Sequence, residues 1–183
     1  MLFKSETIIF LQRNGMVVAN PHQSPVRLAF PDGYVVNLEV ANRQQLLNSC
    51  QKFLEDSGLK GRRAVIVLDY SVVFEKVIAL DKSGQPDKLL QGFVDAMPFE
   101  AGKRVCLGVE DGSSLYLYAT NTDLYTVIEE ALHQAGASSV SAVVPISAYK
   151  LPEAERTITA ATARILKDGS IRKRANFRDS AAM

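Results

Sequence analysis

The stretch ETIIFLQRNGMVVANP, residues 6–21, reads as two short strands around a turn at Arg13-Asn14-Gly15, close to the start of the chain. A hairpin that holds nucleotide phosphates needs an Asp to position a metal-bound water and closely spaced glycines that let backbone amides approach the phosphate. Here Phe10, Leu11, Gln12 and Arg13 stand before a single Gly15, so the hairpin has the shape without those groups.

Outward from the hairpin, VRLAF (26–30) and YVVNLEV (34–40) flank Pro31-Asp32-Gly33, a turn tripeptide, and predict a small antiparallel sheet. Next, NRQQLLNSCQKFLEDSG places Leu46, Leu47, Cys50, Phe53 and Leu54 on one helical stripe. Asn42 with Gln45 resembles a capping box, and Gly58 is the expected stop. The run AVIVLD (64–69) reads as a buried strand.

From residue 72 the order becomes regular. A strand VVFEKVIAL (72–80) leads to a helix opened by Pro86 and ended by Pro98, then to strands KRVCLGV (103–109) and SLYLYAT (114–120) joined through Asp111-Gly112. A helix over about 122–135 and a strand SVSAVVP (139–145) complete β-α-β-β-α-β, the ferredoxin-like order. Its expected core is Leu89, Phe93, Val105, Leu107, Val127 and Ile128. Beyond Pro145, one helix runs from Pro152 to Gly169 with Ile158, Ala161, Ile165 and Leu166 as its apolar face. The tail that follows carries Arg172, Lys173, Arg174 and Arg178.

Composition narrows the function classes. The chain has 183 residues, 47% hydrophobic and 22% charged, an ordinary folded-protein balance. A net charge of +1 supplies no global field toward nucleic acid or anionic lipid. Cys50 and Cys106 lie within regular elements and read as buried thiols, which suits a reducing compartment. His22 reads as a solvated loop residue and His133 as a helix-exterior one, so no metal site and no cofactor is expected. The common phosphate-binding glycine motifs are absent, as are a signal peptide and any stretch of membrane-helix length. Tyr116 and Tyr118 alternate on one strand face, where an RNA-recognition domain would stack bases, but the basic-glycine-aromatic signature is missing. They read instead as a face covered by a partner or a neighbouring lobe.

Three segments taken together resemble a known family: the helix ending in Gly58-Leu59-Lys60 with its following strands, the helix running into Met97-Pro98-Phe99, and the passage from Gln134-Ala135-Gly136 to Pro145. This succession, over roughly residues 40–150, is similar to the PilM family of type IV pilus assembly and the related L protein of type II secretion. The resemblance implies an α/β, degenerate actin-like fold. An RNase H-like lobe is expected from residues 1–71 and 146–178, an inserted ferredoxin-like βαββαβ lobe from 72–145, and a tail at 179–183.

ATP-binding members open with an Asp-Ile-Gly phosphate loop and carry a second half with further nucleotide motifs. Neither is present in this sequence, so no nucleotide-binding residue transfers. The resemblance therefore implies a non-enzymatic scaffold at the cytoplasmic face of the bacterial inner membrane, anchored by a segment beyond the sequence. Its partners would be a cytoplasmic motor ATPase and inner-membrane pilus or secretion proteins, with a homodimer through an open sheet edge and no nucleic acid. Asn176-Phe177-Arg178 looks like the segment those proteins carry shortly before their membrane helix. That makes Arg172, Lys173, Arg174 and Arg178 a membrane-proximal basic cluster, a cytoplasmic-side signal, and Tyr116 with Tyr118 a partner face. The alternatives are an actin-like ATP-binding protein and a ferredoxin-like RNA-binding domain.

Overall fold

The computed structural model describes residues 6–21, 23–80, 85–100 and 102–180. His22 and residues 181–183 of the expected tail lie outside them. The opening hairpin is present: β1 (Glu6–Gln12) and β2 (Gly15–Asn20) pair antiparallel, with Phe10 opposite Val17 and Gln12 opposite Gly15. β3 (Gln23–Ala29) continues antiparallel beside β2. The stretch 34–40 is not one strand. Asn37 and Leu38 both take left-handed backbone angles, which folds it into a tight hairpin of β4 (Val35–Val36) and β5 (Glu39–Val40).

α1 (Arg43–Asp56) follows, its first turn capped by Asn42, whose side-chain oxygen accepts the Gln45 amide at 3.3 Å. β6 (Arg63–Leu68) then runs parallel to β1. The insert comprises β7 (Phe74–Ala79), α2 (Pro86–Asp95), β8 (Arg104–Asp111) and β9 (Ser114–Asn121), with strand order β7-β9-β8. α3 (Thr122–Gln134) and β10 (Ser139–Pro145) return the chain to the large sheet, whose order is β10-β6-β1-β2-β3. β2 alone opposes the other four in direction. This is the RNase H-like sheet of an actin-like lobe.

β-α-β-β-α-β is thus present as a succession, but its last helix and strand belong to the large lobe. β10 pairs with β6, and α3 packs beside α1. The physical reason lies in burial. Residues 142–145 of β10 are buried without alternation, and such a strand is satisfied only in a sheet covered on both faces. The insert therefore closes at Asn121 rather than Pro145. The expected six-residue core divides as well. Phe93 of α2, joined by the partly buried Leu89, packs on Cys106, Leu115, Leu117 and Ala119 of β8 and β9, whereas Val105, Leu107, Val127 and Ile128 belong to the core beneath α1.

The large sheet is covered on both sides. Ile9, Leu11, Ile66 and Val143 face α1 and α3, while Ile8, Phe10, Val65 and Val144 face the C-terminal helices. Those helices are two rather than one. α4 (Ile158–Lys167) starts at Thr157, whose hydroxyl accepts the Ala160 amide, and α5 (Gly169–Arg174) restarts at Asp168.

Both cysteines are buried, as expected, and burial pushes the Cys50 thiol up to about 12 and Cys106 to about 11. A colourimetric disulfide reagent at pH 8 is expected to label neither in the native protein and both in denaturant, because the thiolate is the attacking species. Rapid native labelling would place a thiol at the surface.

Candidate functional site

In open α/β sheets ligands gather at the carboxyl ends of the parallel strands. Here β1, β6 and β10 end at a crevice of about 490 Å3 with Phe10, Ile146, Leu151 and Ala161 as an apolar floor and Gln12, Arg27, Asp69, Tyr70, Arg156 and Thr157 around it. A second cavity, about 500 Å3, lies by the hairpin tip at Arg13, Asn14, Asp32 and Ser71.

Three groups with the right chemistry for phosphate are already engaged in the fold. A Cβ on Gly15 would stand 2.4 Å from the Leu28 carbonyl oxygen, so this glycine serves the close approach of β3. Asp69 accepts the Ser71 amide at 3.0 Å and thereby caps the short 3-10 turn Tyr70–Val72. The Thr157 hydroxyl caps α4. Two cations stand beside the single acid Asp69 in this lining, and Arg27 and Arg156 form no ion pair among the described residues. Neither stands out in the sequence, because single arginines on an edge strand and before a helix carry no local pattern. No cluster of metal-ligating side chains occurs among the described residues.

Tyr116 and Tyr118 do not form an open face. Tyr118 is 3% exposed in the core that joins the lobes, and burial pushes its phenol up to about 12. Tyr116 lies under Lys150, whose ammonium is 4.2 Å from the ring centroid and 2.5 Å from Asp111. Of the two expected covers, a partner or a neighbouring lobe, the second is present: alternation along β9 turns these rings onto the large lobe rather than toward a partner, and a stacked pair for bases is lost with it.

The Asp111–Lys150 pair bridges the lobes at the surface. Its hydrogen bond holds the Asp111 carboxyl below its ordinary value and the Lys150 ammonium above its own. The stabilisation is therefore present above the unfolded carboxylate pKa and lost as pH falls through the folded one. At the alkaline end it is present below the unfolded lysine pKa and lost as pH rises through the folded one. Asp111→Asn should lower the urea midpoint slightly at pH 7, with the gap to the native protein closing as pH falls below the ordinary carboxylate range and through the lowered Asp111 value. A gap independent of pH would mean the pair contributes through packing alone.

The basic cluster is partly built into the fold. Arg172 pairs with Glu6 on α5's inner side, and Arg178 Nε lies 3.0 Å from Glu129. Between them the Asn176 side-chain oxygen accepts the Val143 amide at 2.9 Å, and Phe177 is buried. This segment therefore seals the outer edge of β10. The four basic residues of the expected connector therefore divide: Arg172 and Arg178 are ion-paired while Lys173 and Arg174 form no ion pair among the described residues, and Lys173, Arg174 and Arg178 are exposed, because Phe177 draws the segment down onto the core.

No helix among the described residues is long and apolar enough to cross a membrane. Neither a family model nor a curated protein matches the sequence. Solved structures do. The cytoplasmic domain of EpsL, an inner membrane component of the type II secretion system of Vibrio cholerae, superposes with TM-score 0.51 at 11% identity, over 81% of this chain and 60% of that one. A PilM–PilN type IV pilus biogenesis complex gives 0.49 at 18% identity, over 75% and 47%. A protein of unknown function from Bacteroides thetaiotaomicron with an actin-like ATPase fold gives 0.45 at 12% identity, over 80% and 54%. This chain spans about half to three-fifths of the chains it matches. It is an α/β chain of the actin-like fold, and it shares that fold with cytoplasmic EpsL.

Proposed function

We propose that this chain is a non-enzymatic docking scaffold in the inner-membrane assembly platform of a type IV pilus or type II secretion machine, standing at its cytoplasmic face and coupling a motor ATPase to membrane partners. One observation carries the reading. At the carboxyl end of an actin-like sheet, Gly15, Asp69 and Thr157 are engaged in holding strands and helix starts, which leaves shape and surface rather than phosphate chemistry. The fold shared with an inner-membrane secretion component supports the same setting.

Co-purification with the motor ATPase of a type IV pilus or type II secretion machine from the same source tests the proposal, with retention of a folded ATPase expected. A clean negative with both proteins folded would sink it. The rival, an actin-like ATP-binding protein, predicts saturable heat on titration with ATP and magnesium. The scaffold predicts none and no thermal shift. An RNA-binding domain would show salt-dependent retention on RNA, which the burial of Tyr118 argues against.

A further inference from the structure

We propose that the outer edge of β3, with the crevice beside it, receives an extended acidic segment of a partner protein. β3 is the last strand of the large sheet and is exposed or half-exposed throughout. The Phe30 amide donates to the Asn14 carbonyl at 2.9 Å. Backbone direction alternates along a strand, so Leu28 and Val26, in unbroken register with Met16 and Val18, also turn inward to β2 while Ala29 and Arg27 turn outward. Pro25 falls at the register shift between Val26 and Gln23, a place in a sheet that tolerates a missing N–H. The amides of Arg27 and Ala29 are left for an incoming strand.

The two faces of that edge differ in chemistry. Arg27 stands opposite Val17 in register, on the face that Val17 shares with Phe10, and it lines the crevice together with Arg156. Asp69, the acid in the crevice, is engaged with the Ser71 amide. The other face carries Val26, 44% exposed, and the partly buried Leu28. A strand laid on this edge therefore meets cations on one face and apolar surface on the other. The matching sequence alternates acidic and apolar residues, with main-chain bonds giving affinity and alternate side chains giving specificity. Arginine forks suit carboxylates well. A nucleotide is the weaker fit, since Gly15 at the hairpin tip is pressed against the Leu28 carbonyl, which occupies the space a phosphate would need there.

This inference rests on the docking reading for its biological meaning, yet its test uses the chain alone, so a negative here leaves the motor co-purification standing as a separate result. A fluorescein-labelled peptide of about eight residues alternating Glu and Val is titrated by anisotropy, beside a peptide of the same composition in two blocks and one with Lys in place of Glu. The alternating acidic peptide should bind roughly tenfold tighter than the block peptide. Arg27→Glu with Arg156→Glu should weaken it by a similar factor and admit the Lys peptide, and Ala29→Pro should abolish binding with both arginines in place. Thermal melts check that each variant is folded, and if Ala29→Pro is not, the charge-reversal pair decides. The proposal is overturned by no saturable binding, by equal binding of the block peptide, by binding indifferent to charge reversal, or by displacement with ATP and magnesium.

Discussion

Replacing Phe177 by Ala is expected to lower the unfolding free energy by about 3–5 kcal/mol, the range for emptying a well-packed aromatic site. Phe177 is 1% exposed and belongs to the core beneath α1. Its neighbours in sequence hold it from both sides. Asn176 accepts the Val143 amide, and Arg178 pairs with Glu129. Little collapse is available to fill the void, because the segment is pinned to the edge of β10 and cannot follow the lost ring. For a domain whose whole stability is about 5–15 kcal/mol, this is a large fraction. Denaturant melts of the purified variant measure it directly. A change under about 1 kcal/mol would mean that the C-terminal segment lies loosely on the core.

Gly15→Ala should cost about 3 kcal/mol, at the upper end of overpacking. The atom in the way is a backbone oxygen, that of Leu28 at 2.4 Å, so relief requires moving β3 rather than turning a side chain. Gly92 gives the contrast. It sits inside α2 with nothing within 4 Å of an added Cβ, and Ala there should stabilise by about 0.5–1 kcal/mol. Parallel melts of the two variants test the pair. An equal and small effect at both positions would mean that β3 does not press on the hairpin. Because Gly15→Ala disturbs β3, it should also weaken the alternating acidic peptide even in a fraction that remains folded.

The elements of this protein were legible in its sequence wherever local pattern carries them. Leu46, Leu47, Cys50 and Leu54 announce the buried stripe of α1 and Asn42 its cap, and Asp111-Gly112 announces the β8–β9 turn. The chemical poverty of the hairpin tip was equally plain, since the residue types needed for a phosphate loop are missing. Partnership between elements was not. A run such as SVSAVVP specifies a buried strand but not which strand it joins, and pairing with β6 rather than within the insert is decided by coverage of both sheet faces. Period-two alternation likewise put Tyr116 and Tyr118 on one face, while only the tertiary structure showed that face turned onto the large lobe.

The same division holds at the candidate site. Arg27 and Arg156 are separated by most of the chain, and it is folding that brings them to one crevice. Phe177 looked like part of a basic tail, yet its burial docks the segment. By itself the sequence determined the elements, the hairpins, and the lack of a phosphate loop, because these follow from propensity, turn chemistry and residue type within short windows. Tertiary structure decided strand partners, lobe boundaries, the role of Gly15 and the docking of the C-terminal segment, because contacts between residues far apart in the chain leave no periodic trace in either one.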